Sequence, residues 1–214
     1  MADLNIDVPQ QKRPKSLLSE VLRPQSLSDL TLPMPIIHRL QRVIESRSMV
    51  NMLFCGPPGS GKISTARIFI NAIGGDTTID RLSESSSDLA KSIKDLVPRM
   101  TTEICFVDQA HFISKRDQTV LLNLIDWRSF NCRFLFTTTD ITKLLPAIRS
   151  RLMEISFEVR PEDREEVQTR LMERYENILS ANGFAFDKVR LKGIIEANFP
   201  DLRSIANNIE FEFA

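Results

Sequence analysis

The chain has 214 residues but only three cysteines and two histidines, and that scarcity removes several kinds of chemistry at once. Cys55, Cys105 and Cys132 are odd in number, and two of them lie in apolar, strand-like runs. They read as reduced core thiols rather than as a disulfide framework. His38 and His111 have no cysteine or histidine at metal-ligand spacing, which argues against a zinc site. An excess of one charge is also missing, since Lys plus Arg and Asp plus Glu each total 28. A protein gripping nucleic acid alone across a broad basic face would be cationic. Zero net charge leaves room for a local basic strip, or for DNA held jointly with other subunits. No apolar run approaches a membrane span, and the polar start Met1-Ala-Asp-Leu-Asn-Ile-Asp is no signal peptide. A cytoplasmic protein without membrane contact is expected. The rest of the composition, 42% hydrophobic and 26% charged, is that of a soluble globular chain. Its length suits one core with a small second domain.

The most informative segment is Gly56, Pro57, Pro58, Gly59, Ser60, Gly61 and Lys62. Residues 49–54 before it read as a buried strand, and residues 65–71 after it open a helix. A glycine-rich turn in that position lets bare backbone N–H groups close around phosphate oxygens. The helix N-terminus adds partial positive charge, and Lys62 supplies a mobile cation for the outer phosphates. The next residue breaks the pattern, which wants a Ser or Thr hydroxyl on Mg²⁺. Ile63 offers no oxygen. Ser64 and Thr65 follow, but each step along a helix turns the side chain by about 100°. A phosphate cradle with an impaired metal site is therefore expected.

Around this loop the chain divides by pattern. Residues 1–15 are polar, with a small basic cluster at Lys12, Arg13 and Lys15, and read as a flexible arm. Residues 35–45 show helical spacing. Four further strand-like runs follow, at 77–82 (weak), 103–107, 133–137 and 153–157. A helix led by cap-type serines is expected at 85–96, and its free N–H groups could meet a DNA phosphate. Strands alternating with helices imply an α/β fold with a parallel sheet covered on both faces. From Pro161 the signal changes. Val167, Leu171, Tyr175, Ile178 and Leu179 recur at helical intervals up to Gly183, and shorter helices are expected at 187–198 and 201–213. This gives a core over 16–159 and a three-helix domain over 160–214, hinged near Val159, Arg160 and Pro161.

Residues 104–108 end a buried strand with the carboxylate Asp108, where phosphate-loop ATPases face the metal and its waters. Gln109 stands where such an ATPase places glutamate to polarise the attacking water. Glutamine can orient water but cannot accept a proton, and losing a general base costs on the order of 10²–10⁴ in rate. Some GTPases use glutamine to position water, so both outcomes stay open. Thr137, Thr138, Thr139 and Asp140 end the next strand. Beyond them a short amphipathic segment closes on Arg149 and Arg151, and one of these could reach a neighbouring subunit's nucleotide.

Together these motifs resemble the clamp-loader type of AAA+ ATPase, as in replication factor C small subunits and the clamp-loader ATPase of tailed phages. The resemblance runs from about Leu18 to the end of the chain. Residues 22–30, with Arg23 and Pro24, resemble the entry motif near the adenine. Residues 56–62 match Walker A, and Asp108, Gln109, Ala110, Gln118 and Leu121 follow Walker B and its helix, with Gln109 in place of Glu. Thr139 falls at sensor 1, where the family generally has asparagine. Ser150 and Arg151 match the arginine-finger motif, with Leu152 in place of cysteine. Residues 198–203 match sensor 2, ending on Arg203.

The resemblance implies a P-loop core with a helical lid, and ATP with Mg²⁺ as cofactors. It implies other clamp-loader subunits in a hetero- or homo-oligomer, a sliding clamp and primer–template DNA as partners. Lys62 would bind the outer phosphates and Asp108 the metal. Gln109 and Thr139 would hold the water, Arg203 the phosphates from the lid, and Arg151 would act in trans. The family's helical collar is not matched, which puts ring assembly in question unless the sequence is a fragment. Weakened hydrolysis by the chain's own site is the leading expectation. Two alternatives are a non-hydrolysing structural subunit that lends Arg151 to a neighbour, and an AAA+ module outside replication.

Overall fold

A computed structural model describes residues 18–73, 104–127 and 132–214. The arm at 1–15, the weak strand at 77–82 and the serine-led helix at 85–96 lie outside the described residues. The chain opens with a short helix α1 (Leu18–Val21), a 3₁₀ turn (Leu27–Asp29) and helix α2 (Met34–Ser46). Strand β1 (Met52–Cys55) leads into α3 (Lys62–Ile73). Then come β2 (Ile104–Val107), α4 (Lys115–Trp127), β3 (Arg133–Thr138), the short α5 (Pro146–Arg149) and β4 (Met153–Ser156). Three helices close the chain: α6 (Arg164–Ala181), α7 (Lys188–Asn198) and α8 (Leu202–Phe213).

The four strands among the described residues are all parallel, in the order β2-β3-β1-β4. β1 is paired on both sides, with Met52 opposite Leu135 and Met153, and Cys55 opposite Thr138 and Ser156. Core clusters cover both of its faces, which is why it reads as a continuous apolar run. Its side chains still alternate between faces. Met52 and Phe54 join one core cluster with Ile37, Leu40, Phe69 and Phe157, while Leu53 joins Leu121, Phe134, Phe136 and Ile148 on the other face. Neighbouring strands keep the same alternation, with Leu135 on the first face and Phe134 and Phe136 on the second.

A third cluster holds the C-terminal helices together through Val167, Leu171, Tyr175, Leu191, Ile195, Ile205 and Ile209. Leu18 and Leu22 also belong to it, so α1 packs with the helical unit although the sequence divides it into the core. Two arginines of α6 bind the entering segment to that unit. Arg170 donates to the carbonyls of Leu30 and Leu32, and Arg174 to that of Leu22. α7 and α8 begin on N-cap aspartates. Asp187 accepts from Val189 and Arg190 N–H, and Asp201 from Arg203 and Ser204 N–H.

Phe54 is fully buried at the centre of the first cluster, against Phe69 and Phe157. Phe54→Ala is expected to lower unfolding free energy by about 3–5 kcal/mol in a denaturant titration. Phe211→Ala, at a site 90% exposed, is expected to stay within about 0.5 kcal/mol of the parent.

Candidate functional site

The parallel sheet places the carboxyl ends of β1, β2 and β3 side by side, and the sequence has put its polar residues there. The loop after β1 needs glycine. Gly56, Gly59 and Gly61 have φ of 147°, 73° and 87°, where L side chains are strained. Gly56 is also hemmed in, because a Cβ there would lie 3.0–3.2 Å from Phe157. The loop is tied to both neighbouring strands, since Gly56 N–H donates to Thr138 O and Phe157 N–H donates to Cys55 O. Lys62, the first residue of α3, is buried. Its Nζ donates to Gly56 O at 2.9 Å, Pro57 O at 2.6 Å and Ser60 Oγ at 3.3 Å. Burial pushes its pKa down to about 8, with Arg203 pushing the same way and Cys55, Asp108 and Asp201 opposing.

The end of β2 supplies the facing carboxylate. Asp108 Oδ1 accepts a 2.5 Å bond from Thr137 Oγ1, and the same hydroxyl accepts from Gln109 N–H at 3.0 Å. Thr137 thus joins β3 to the turn after β2, and Gln109 takes a left-handed conformation with φ 52°. Thr137 belongs to the threonine run that ends β3, and its position at a strand end beside Asp108 is the signal for this bracing contact. Thr139 is exposed at the rim and engages His111, a residue that the sequence analysis treats only as a poor metal ligand. Gln118 is buried and satisfied, donating to Ile113 O and Lys143 O and accepting from Leu145 N–H, so α4 braces the turn that follows Thr139.

The lid completes the enclosure. Leu202 N–H donates to Gly59 O at 3.0 Å, and a Cβ on Gly59 would fall 1.8 Å from Asp201 Oδ1. The carboxylate that caps α8 therefore rests on the loop. A cavity of about 820 Å³ opens between loop, strand ends, lid and entering segment. Arg23, Pro24, Pro58, Gly59, Ser60, Gly61, Lys62, Ile63, Ser64, Asp108, Gln109, Thr139 and Arg203 line it, together with Thr65, Arg174 and Tyr175. Gly56 and Pro57 do not line it; they hold Lys62 by their carbonyls. Arg151 lies outside it, in a two-point ion pair with Asp126 at 2.6 and 2.9 Å.

Two observations fit this cavity to a nucleotide. Its volume suits a mid-sized ligand. Among the described residues, the buried side-chain polar atoms without a hydrogen-bond partner are Thr65 Oγ1 and Arg174 Nε, and both residues line it. The fit to a metal is narrower. No group of three or more His, Cys, Asp or Glu side chains among the described residues could hold an ion. A lone carboxylate, Asp108, suits Mg²⁺ only if phosphate and water fill the rest of an octahedron.

Residues 52–161 match the family described as "ATPase family associated with various cellular activities (AAA)", which is just over half of the chain. The chain belongs to the AAA ATPase family. It is 26% identical over 204 residues to a replication factor C small subunit of Thermoplasma acidophilum, covering 90% of this chain and 62% of that protein. A probable replication factor C subunit 5 of Dictyostelium discoideum is 23% identical over 205 residues, covering 89% of the chain and 57% of that protein. The chain thus spans less than two thirds of the length of these relatives. Among solved structures, the RuvB Holliday junction branch migration motor of Thermotoga maritima superposes with a TM-score of 0.71. It is 18% identical, over 89% of this chain and 64% of its own, a likeness of fold. No helix among the described residues is long and apolar enough to cross a membrane.

A bound polyphosphate would raise the pKa of Lys62 again, so affinity is full below the unbound value of about 8 and declines as pH rises through it. Calorimetry in two buffers at pH 8–9 should show proton uptake on ATP binding, and the uptake should shrink as the pH is lowered towards about 7. Gly59→Ala should drive Asp201 off the loop, and hydrogen exchange at Leu202 N–H should quicken by about tenfold or more.

Proposed function

We propose that this chain is a clamp-loader-like AAA+ ATPase subunit acting in DNA replication. On this reading it binds ATP between core and lid and couples that state to loading a sliding clamp on primer–template DNA. The observation that supports it most is the convergence of Lys62, Asp108 and Arg203 on one cavity, in a chain that resembles replication factor C subunits over nine tenths of its length. The loop N–H groups and Lys62 take the phosphate tail. Arg203 adds charge from the lid, and Arg23 and Pro24 border the base. Asp108 would be the chain's own ligand to a weakly held Mg²⁺, which would supply charge neutralisation at the outer phosphates when bound. Ile63 contributes no oxygen to that ion.

Gln109 has no proton-accepting group, so hydrolysis by this site is expected to be weak, lower by about 10²–10⁴ than with a general base. Arg151 acts in trans on a neighbour's ATP. Its place outside the chain's own cavity favours that role, and on assembly it exchanges Asp126 for phosphate. An arginine finger contributes roughly 10³–10⁵ in rate. The other partners are further clamp-loader subunits, the clamp and the primer–template, and the compartment is the cytoplasm.

ATP titration with and without Mg²⁺, followed by turnover with DNA and candidate subunits, tests this reading. Lys62→Ala should abolish binding, and Mg²⁺ should change affinity little. A protein indifferent to ATP, or a turnover typical of glutamate-bearing AAA ATPases, overturns the corresponding part. Arg151→Ala should lower the rate of a mixed assembly. If Lys62→Ala leaves that rate intact, the chain is a structural subunit that only lends its arginine. Failure to retain a sliding clamp in a pull-down would place the module outside replication.

A further inference from the structure

The buried face of α6 runs through Val167, Leu171, Tyr175 and Leu179, about one residue per turn. Three of these are aliphatic, and the fourth carries a hydroxyl. Tyr175 is only 2% exposed, and a buried phenol normally finds a hydrogen-bond partner. Tyr175 Oη has no such partner among the described residues, yet it is not sealed off as Thr65 Oγ1 and Arg174 Nε are. The oxygen therefore keeps some accessible surface, and what it faces is the cavity that Tyr175 lines. Burial pushes its pKa up to about 12, with Arg174 opposing. At neutral pH it is an uncharged phenol, able to donate or to accept.

The surroundings of Tyr175 indicate which part of a nucleotide it meets. Leu22, Leu171, Leu202 and Ala206 share its hydrophobic cluster and line the cavity with it. Arg174 ties this region to the entering segment by donating to Leu22 O at 2.8 Å, and its guanidinium stands over the Tyr175 ring, 5.6 Å from the centroid. An apolar slot suits a flat nucleobase and repels a phosphate tail. A phenylalanine would fill the slot equally well without stripping water from a hydroxyl. We propose that Tyr175 is a specificity-determining residue for the nucleobase: its hydroxyl bonds the polar edge of the purine of ATP. This rests on the nucleotide reading above. That edge of adenine carries an amine that donates and a ring nitrogen that accepts, so a phenol can satisfy either.

The test compares the whole chain with Tyr175→Phe, using ATP and inorganic tripolyphosphate as ligands in calorimetry. A hydrogen bond between uncharged groups corresponds to roughly a three- to tenfold change in affinity. Tyr175→Phe should weaken ATP by about that factor and leave tripolyphosphate, which has no base, unchanged. Without nucleotide the variant should melt no lower than the parent, because the hydroxyl has no partner to lose. Tyr175 is the only tyrosine in the chain, so labelling tyrosine with ¹³C at Cζ gives a single NMR signal from the carbon that bears the hydroxyl. Saturating ATP should move that signal.

A Tyr175→Phe variant that binds ATP as tightly as the parent overturns the proposal, as does a Cζ signal that ATP leaves in place. An equal loss for tripolyphosphate, or a lower melting temperature without nucleotide, would mark a merely structural tyrosine and also overturns it. If the parent binds neither ligand, or Lys62→Ala fails to weaken ATP, the nucleotide reading itself falls. If Lys62→Ala abolishes binding while Tyr175→Phe changes nothing, only the present inference falls.

Discussion

The chemistry of this chain depends on one constraint, the pairing of β1 on both of its edges. Its backbone is hydrogen-bonded to β3 and β4 in parallel register, so its carboxyl end cannot move without breaking two ladders. The glycine loop inherits that fixity through Gly56 N–H on Thr138 O and Phe157 N–H on Cys55 O. The strand order also brings the ends of β2 and β3 to the same edge, where α/β sheets hold their ligands. Asp108 and Thr137 are thereby set across from Lys62 without any contact between distant loops.

The electrostatics follow from enclosure. Lys62 is a buried cation held by carbonyls, and carbonyls satisfy its hydrogen-bond donors without neutralising its charge. Burial without a counter-charge lowers its pKa. Arg203 makes the deficit larger, so the site gains by admitting an anion. The opposite economy governs Arg151, whose charge is matched on the surface by Asp126 and which costs the fold little to expose or to reassign.

Periodicity made most of the fold legible. The strands at 49–54, 103–107, 133–137 and 153–157 were displaced by no more than a few residues from β1, β2, β3 and β4, because buried strands are apolar runs with sharp ends. The lid helices were equally plain, since Asp187, Asp201 and Gly183 mark their limits. Packing between units was less so: Leu18 and Leu22 carry no label saying which cluster they join. Lys62, Asp108, Gln109, Thr139 and Arg203, which motif spacing names, all line the cavity. Motif spacing is blind to the contacts of His111 with Thr139, of Thr137 with Asp108 and of Asp201 with Gly59, because they join residues far apart in the chain.

That last contact has a mechanical consequence. Asp201 begins α8 and at the same time touches Gly59, and Leu202 is hydrogen-bonded to the same glycine. Arg203 follows immediately. A displacement of the loop by a fraction of an ångström must therefore tilt the start of the last helix and swing that arginine with it. Loop and last helix meet at Gly59, so whatever fills the cradle bears directly on the start of that helix.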